Sequence, residues 1–125
     1  MKDNVIVDKS FKFALLVVDL YKFLKNKQKE YILSKQLLRS ETSIGANIEE
    51  AQAAQSKKEF IAKMSISAKE ARETRYWIKL LKESGYIDEY GEKDQILEDI
   101  NIIIALLTKI IKTAQESMKE NSSNV

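Results

Sequence analysis

Residues 36–51, QLLRSETSIGANIEEA, decide the reading of this chain. Gln36, Ser40, Ser43, Asn47 and Glu50 recur at steps of four, three, four and three, the spacing that draws one line along a helix. In a simple coiled-coil seam those positions are apolar; here each is polar. Arg39 flanks the line, while Leu33, Leu37, Ile44 and Ile48 form an apolar stripe beside it. The segment reads as a helix that meets its neighbours through small and hydrogen-bonding groups as well as hydrocarbon.

Around it the composition suits one helical domain spanning residues 1–125. The chain has 125 residues, 44% of them hydrophobic, enough for a compact core. Proline is absent and there are 3 glycines, so little interrupts a helix. Charged residues make up 32%, as long helices with solvated outer faces require.

Cysteine and histidine are both absent, which excludes disulfides, thiolate nucleophiles, imidazole bases and Cys/His zinc sites. No dense carboxylate loop suggests a metal, and no cofactor is expected. Val5-Ile6-Val7 is too brief for a signal peptide, and the apolar run 102–107 is far short of a membrane span. The expectation is a cytoplasmic protein with no membrane contact.

Periodicity and punctuation give four helices: from residue 5 or 8 to about 27, from 29 to 55, from just after Ser56 to 84, and from 92 to 118. Ser56 followed by Glu59 reads as a capping box, and Gly85 as a C-terminal cap. The tail, about residues 119–125, is expected to fray. Helices of twenty-odd residues on short loops predict an all-α, antiparallel up-and-down four-helix bundle.

Two helices carry more apolar surface than one such bundle needs. The first has a stripe of Phe13, Leu16, Val17, Leu20 and Leu24, with Phe11, Leu15 and Val18 pointing elsewhere. The fourth has one row through Ile96, Ile100, Ile103, Leu107, Ile110 and Ala114 and a second through Leu97, Ile104, Ile111 and Met118. Either the core reaches far round these helices, or the surplus is buried in a homo-oligomer; the second reading is preferred.

The formal net charge of +2 is too small to imply a nucleic-acid partner by itself. The first and third helical segments are basic and the second and fourth acidic, a pattern that serves pairing of neighbouring helices or solubility. On the third helix, Ile61, Met64 and Ala68 lead onto Arg72, Arg75, Lys79 and Lys82 along roughly one face. A second face carries Ile66, Glu70, Glu73, Trp77, Leu80 and Leu81, whose apolar members should enter the core.

The four cations read either as a track for successive phosphates, with Tyr76 and Trp77 beside it to stack on a base, or as a solvated face paired with glutamates. No base-reading motif accompanies them. The polar line of the second helix likewise has two readings. Arg39, Ser43, Asn47 and Glu50 form a pocket, or they are structural, with Ser and Asn satisfying one another and Arg39 pairing with Glu50, Glu70 or Glu73. Without a Cys or His nucleophile or base the structural reading is preferred. Gly45, which costs about 1 kcal/mol relative to alanine within a helix, is expected to mark close backbone approach or a slight kink.

Gln36-Leu37-Leu38-Arg39-Ser40, then Thr42-Ser43-Ile44-Gly45-Ala46-Asn47-Ile48-Glu49-Glu50-Ala51, resembles the signature of the four-helix bundle proteins encoded in intervening sequences of 23S ribosomal RNA genes. The likeness continues through Ser56, Glu59-Phe60, Ala68-Lys69-Glu70-Ala71, Glu73-Thr74-Arg75-Tyr76-Trp77 and Gly85-Tyr86-Ile87. The accessory protein of diversity-generating retroelements is similar. The chain departs from the pattern at Ala51, where many members have glycine, and at Lys69-Glu70, where many have small residues.

The resemblance implies an antiparallel bundle assembled as a ring, commonly a pentamer, with nucleic-acid or ribonucleoprotein association and no established enzymatic activity. Carried over, Arg39, Ser43, Asn47 and Glu50 are structural. The expected function is a non-enzymatic oligomeric scaffold binding RNA or DNA nonspecifically. A module for a protein partner is the alternative, and an enzyme built on Arg39, Asn47 and Glu50 a third.

Overall fold

The structure is a computed structural model that describes residues 4–123 of the chain. It contains α1 (Val5–Asn26), α2 (Leu33–Gln52), α3 (Lys57–Glu83) and α4 (Lys93–Ser123). Each packs on the next in sequence, and α4 closes against α1. The Asn4 side chain donates to Gln52 across the far ends of α1 and α2, whereas Glu30 N–H reaches the Leu24 carbonyl (2.9 Å) at their joined ends. The four helices therefore run up and down, as the pattern predicts. No described helix is long and apolar enough to cross a membrane.

The helix ends explain where the sequence reading of boundaries fails. α2 begins at Leu33 rather than residue 29 because Lys29 turns into left-handed backbone (φ 56°) and Glu30 folds back over the helix start. The Glu30 carboxylate accepts from the N–H groups of Ile32 (3.1 Å), Leu33 (2.9 Å) and Ser34 (2.7 Å), placing an anion on otherwise unsatisfied donors. At the other end α2 stops at Gln52, three residues before the expected residue 55, where Ala53 and Ala54 turn the chain.

Ser56 caps α3 by accepting from Glu59 N–H (3.0 Å). Gly85 has φ 88° and ends α3 in a paired closure, its N–H bonding Lys82 O (3.2 Å) and Tyr86 N–H bonding Leu81 O (3.0 Å). α4 continues to Ser123 rather than ending near residue 118; 124 and 125 lie outside the described residues. Met118, Lys119 and Glu120 are good helix formers, and Lys57 ties this part of the helix to α3 through Ser117 (2.7 Å).

The core is continuous along the bundle and is built on Val17, Leu20, Leu37, Ile44, Ile78 and Ile100 with their neighbours. On α3 the buried row is Met64, Ser67, Ala71, Thr74, Ile78 and Leu81. It runs between the two faces expected from sequence, leaving Ile66 exposed and Trp77 and Leu80 partly covered. Small and hydroxyl residues at three of these positions hide the row from a hydrophobicity pattern.

The second apolar row of α4 is largely absorbed: Ile104 is buried and Leu97 and Ile111 pack against the core, leaving Met118 exposed. The surplus thus concentrates on α1, where Phe11 (66% exposed), Leu15 and Val18 share an outward face.

Candidate nucleic-acid interface

The polar line of α2 is split by the packing into four small systems. Ser40 is fully buried and its hydroxyl meets the Thr74 hydroxyl of α3 at 2.8 Å. Each hydroxyl also lies within reach of a carbonyl of its own helix, Leu37 O from Ser40 (3.2 Å) and Glu70 O from Thr74 (2.8 Å), so that one hydroxyl donates to the other and the second gives its proton to its helix carbonyl. Arg39 and Gln36 lie at the seam's outer edge: Arg39 Nε donates to Gln36 Oε1 (3.2 Å), and the guanidinium pairs with Glu73 and Glu70. Glu73 also accepts from the Trp77 indole N–H (2.9 Å).

Asn47 donates within its own helix, to the Ser43 carbonyl (2.8 Å) and hydroxyl (3.2 Å). Glu50 pairs with Lys63 of α3 (2.7 Å), whose ammonium it holds above the usual lysine pKa by that hydrogen bond and by charge. Arg39, Asn47 and Glu50 therefore do not converge on one substrate-sized site.

Gly45 does not mark a close approach, the first of the two readings its place within the helix allows. A β-carbon placed there meets nothing within 4 Å. The intimate α2–α3 contact instead uses Ser67, whose hydroxyl donates to the Ile44 carbonyl (3.0 Å).

Glu41 is the residue that sequence reasoning passed over. It is 1% exposed, and its Oε1 atom has no hydrogen-bond partner. Burial pushes its pKa up from 4.5 to about 7, with no charged neighbour contributing. A signal existed, since Ser34, Leu37, Glu41, Ile44, Ile48 and Ala51 repeat at three and four and are all buried.

The four cations proposed on α3 separate into two pairs. Arg75 turns toward α4 and donates to Asn101 Oδ1 (3.0 Å), and Lys82 comes within 4.0 Å of Asp94. Arg72 and Lys79 stay exposed, on the outer face that also carries Lys69 and Tyr76. A shallow depression of about 450 Å³ there is lined by Arg75, Tyr76, Lys79, Leu80 and Glu83. A larger groove of about 790 Å³ lies where the start of α1 meets the later half of α4, but residues such as Val5, Ile6, Phe60 and Ile110 make it mainly apolar.

Residues 2–109 match the 23S rRNA-intervening sequence protein family. The chain belongs to this family. A crystal structure of a protein with unknown function from the S23 ribosomal protein family of Bacteroides thetaiotaomicron is 54% identical in sequence, with a TM-score of 0.83 over 90% of this chain and 99% of that one. No curated protein matches.

Within this 23S rRNA-intervening sequence protein, the α2 signature residues make the seam with α3, and the outer face of α3 carries a row of exposed cations. Lys69 and Glu70 serve both regions: Lys69 joins the outer ridge and Glu70 helps hold Arg39.

Proposed function

We propose that this protein is a non-enzymatic oligomeric scaffold that binds nucleic acid nonspecifically through the outer face of α3. The observation that carries this reading is the exposed ridge of Lys69, Arg72 and Lys79, none of which has an ion pair among the described residues. Arg75 adds its charge at the ridge's inner margin, since its Asn101 partner is neutral. Self-association is supported by the outward Phe11, Leu15 and Val18 on α1. Repetition of the ridge in an assembly, a pentameric ring in the form the family resemblance implies, multiplies its attraction for phosphates.

The test is anisotropy of labelled RNA and DNA against salt, with light scattering alongside. Affinity is expected to fall steeply as salt rises. Replacing Arg72, Arg75, Lys79 and Lys82 together by alanine is expected to weaken binding and flatten that dependence while leaving the assembly intact. Unchanged affinity in that variant removes the α3 ridge from consideration. The same α1 face also favours a second reading, a module for a protein partner, which predicts negligible nucleic-acid affinity at physiological salt and co-purification with one specific protein.

A further inference from the structure

Tyr76 stands in the middle of the α3 ridge. Lys69, Arg72, Tyr76 and Lys79 follow at steps of three, four and three, so the tyrosine shares one face with the three cations. It is 57% exposed, yet it is held in place. Its ring meets Trp77 edge-on, with centroids 5.0 Å apart and planes at 71°. Trp77 is in turn fixed by its hydrogen bond to Glu73, which Arg39 anchors to α2. An aromatic ring oriented this way and open to solvent loses little freedom when a second ring covers it.

We propose that Tyr76 is a stacking platform for one unpaired base, with Lys69, Arg72 and Lys79 contacting the adjoining phosphates, so that the ligand is single-stranded nucleic acid. This rests on the nucleic-acid reading above and narrows it. Arg72 and Lys79 are ~10 Å apart along the helix axis, the scale of one nucleotide with its flanking phosphates. Leu80 offers apolar surface in the depression beside the ring, and Glu83 at its far edge repels phosphate, directing the strand toward Arg72 and Lys69. A duplex keeps its bases stacked on one another and presents no free face to the tyrosine.

Trp77 is the only tryptophan and touches Tyr76, which makes it an internal reporter. The experiment titrates the full-length protein with oligo-U, oligo-dT and a duplex of equal length, reading ligand anisotropy and tryptophan emission at several salt concentrations. Single strands are expected to bind more tightly than duplex and to change the emission. Tyr76→Ala is expected to weaken single-strand binding by about 5- to 150-fold with the salt dependence retained. Tyr76→Phe, which keeps the ring, is expected to bind like the parent, and Arg72→Ala with Lys79→Ala to flatten the salt dependence.

If duplex binds as well as single strands, or Tyr76→Ala binds like the parent while salt still weakens it, stacking is wrong and the electrostatic reading stands. If none of the three oligonucleotides binds at low salt, both fall.

Discussion

Ser40 and Glu41 are adjacent in sequence and equally hidden from water, yet they have opposite circumstances. The Ser40 hydroxyl shares a hydrogen bond with Thr74 across the α2–α3 seam. Glu41 turns into the core, where its Oε1 has no partner. A 100° rotation along the helix separates a satisfied polar contact from a group that burial forces toward neutrality. The consequence of burying a polar residue is decided by what faces it.

The largest test of this contrast is at Glu41. Between pH 4.5 and about 7 the folded protein holds a proton there that the unfolded chain has released. Through this group alone, stability is greatest below pH 4.5, falls as the pH rises to about 7, and then levels off. The interval corresponds to roughly 3 kcal/mol. Glu41→Leu is therefore expected to stabilise the bundle by that order at pH 8 and by clearly less at pH 4.5, measured by urea unfolding. An equal gain at both values would sink the proton linkage.

A smaller effect is expected at the seam. Ser40→Ala and Thr74→Val should each destabilise, and in a double-mutant cycle their coupling should be about 1 kcal/mol. Strict additivity would show that the shared hydroxyl bond contributes nothing and would erase the contrast with Glu41. Smallest is Arg39→Ala. Its guanidinium is half exposed, so losing the pairs with Glu70 and Glu73 should cost at most about 1 kcal/mol. That loss should shrink in about 0.5 M salt, read as the melting-temperature difference from the parent.

The same pair of residues shows which parts of the molecule were readable beforehand. Helix number, order and most caps follow from punctuation such as Ser56 and Gly85, because local backbone chemistry sets them. The α2 segment was readable because its polar and apolar lines are both regular. Glu41 shares the buried three–four repeat, but its carboxylate makes that position look like surface until packing closes over it. On α3, Ser67, Ala71 and Thr74 form the core row without a hydrophobic signal.

Of the two readings of the α4 surplus, a core that reaches far round the helix accounts for Leu97 and Ile111, which pack on it from the flank. At the candidate interface the spacing of Arg72, Arg75, Lys79 and Lys82 was visible, but their separation depends on Asn101 and Asp94, contributed by another helix. No periodicity within α3 contains that information.

The order in which the helices pack also has a kinetic side. Apart from the closure of α4 on α1, each described helix pairs only with its neighbour along the chain. Most of the native contacts thus span short loops, the topology associated with barrier crossing in microseconds to milliseconds. With no proline in the sequence, no slow isomerisation of an X–Pro bond stands between the unfolded chain and the bundle. A newly made chain has its α2–α3 seam available as soon as residue 83 is free to fold, before α4 arrives to close the structure.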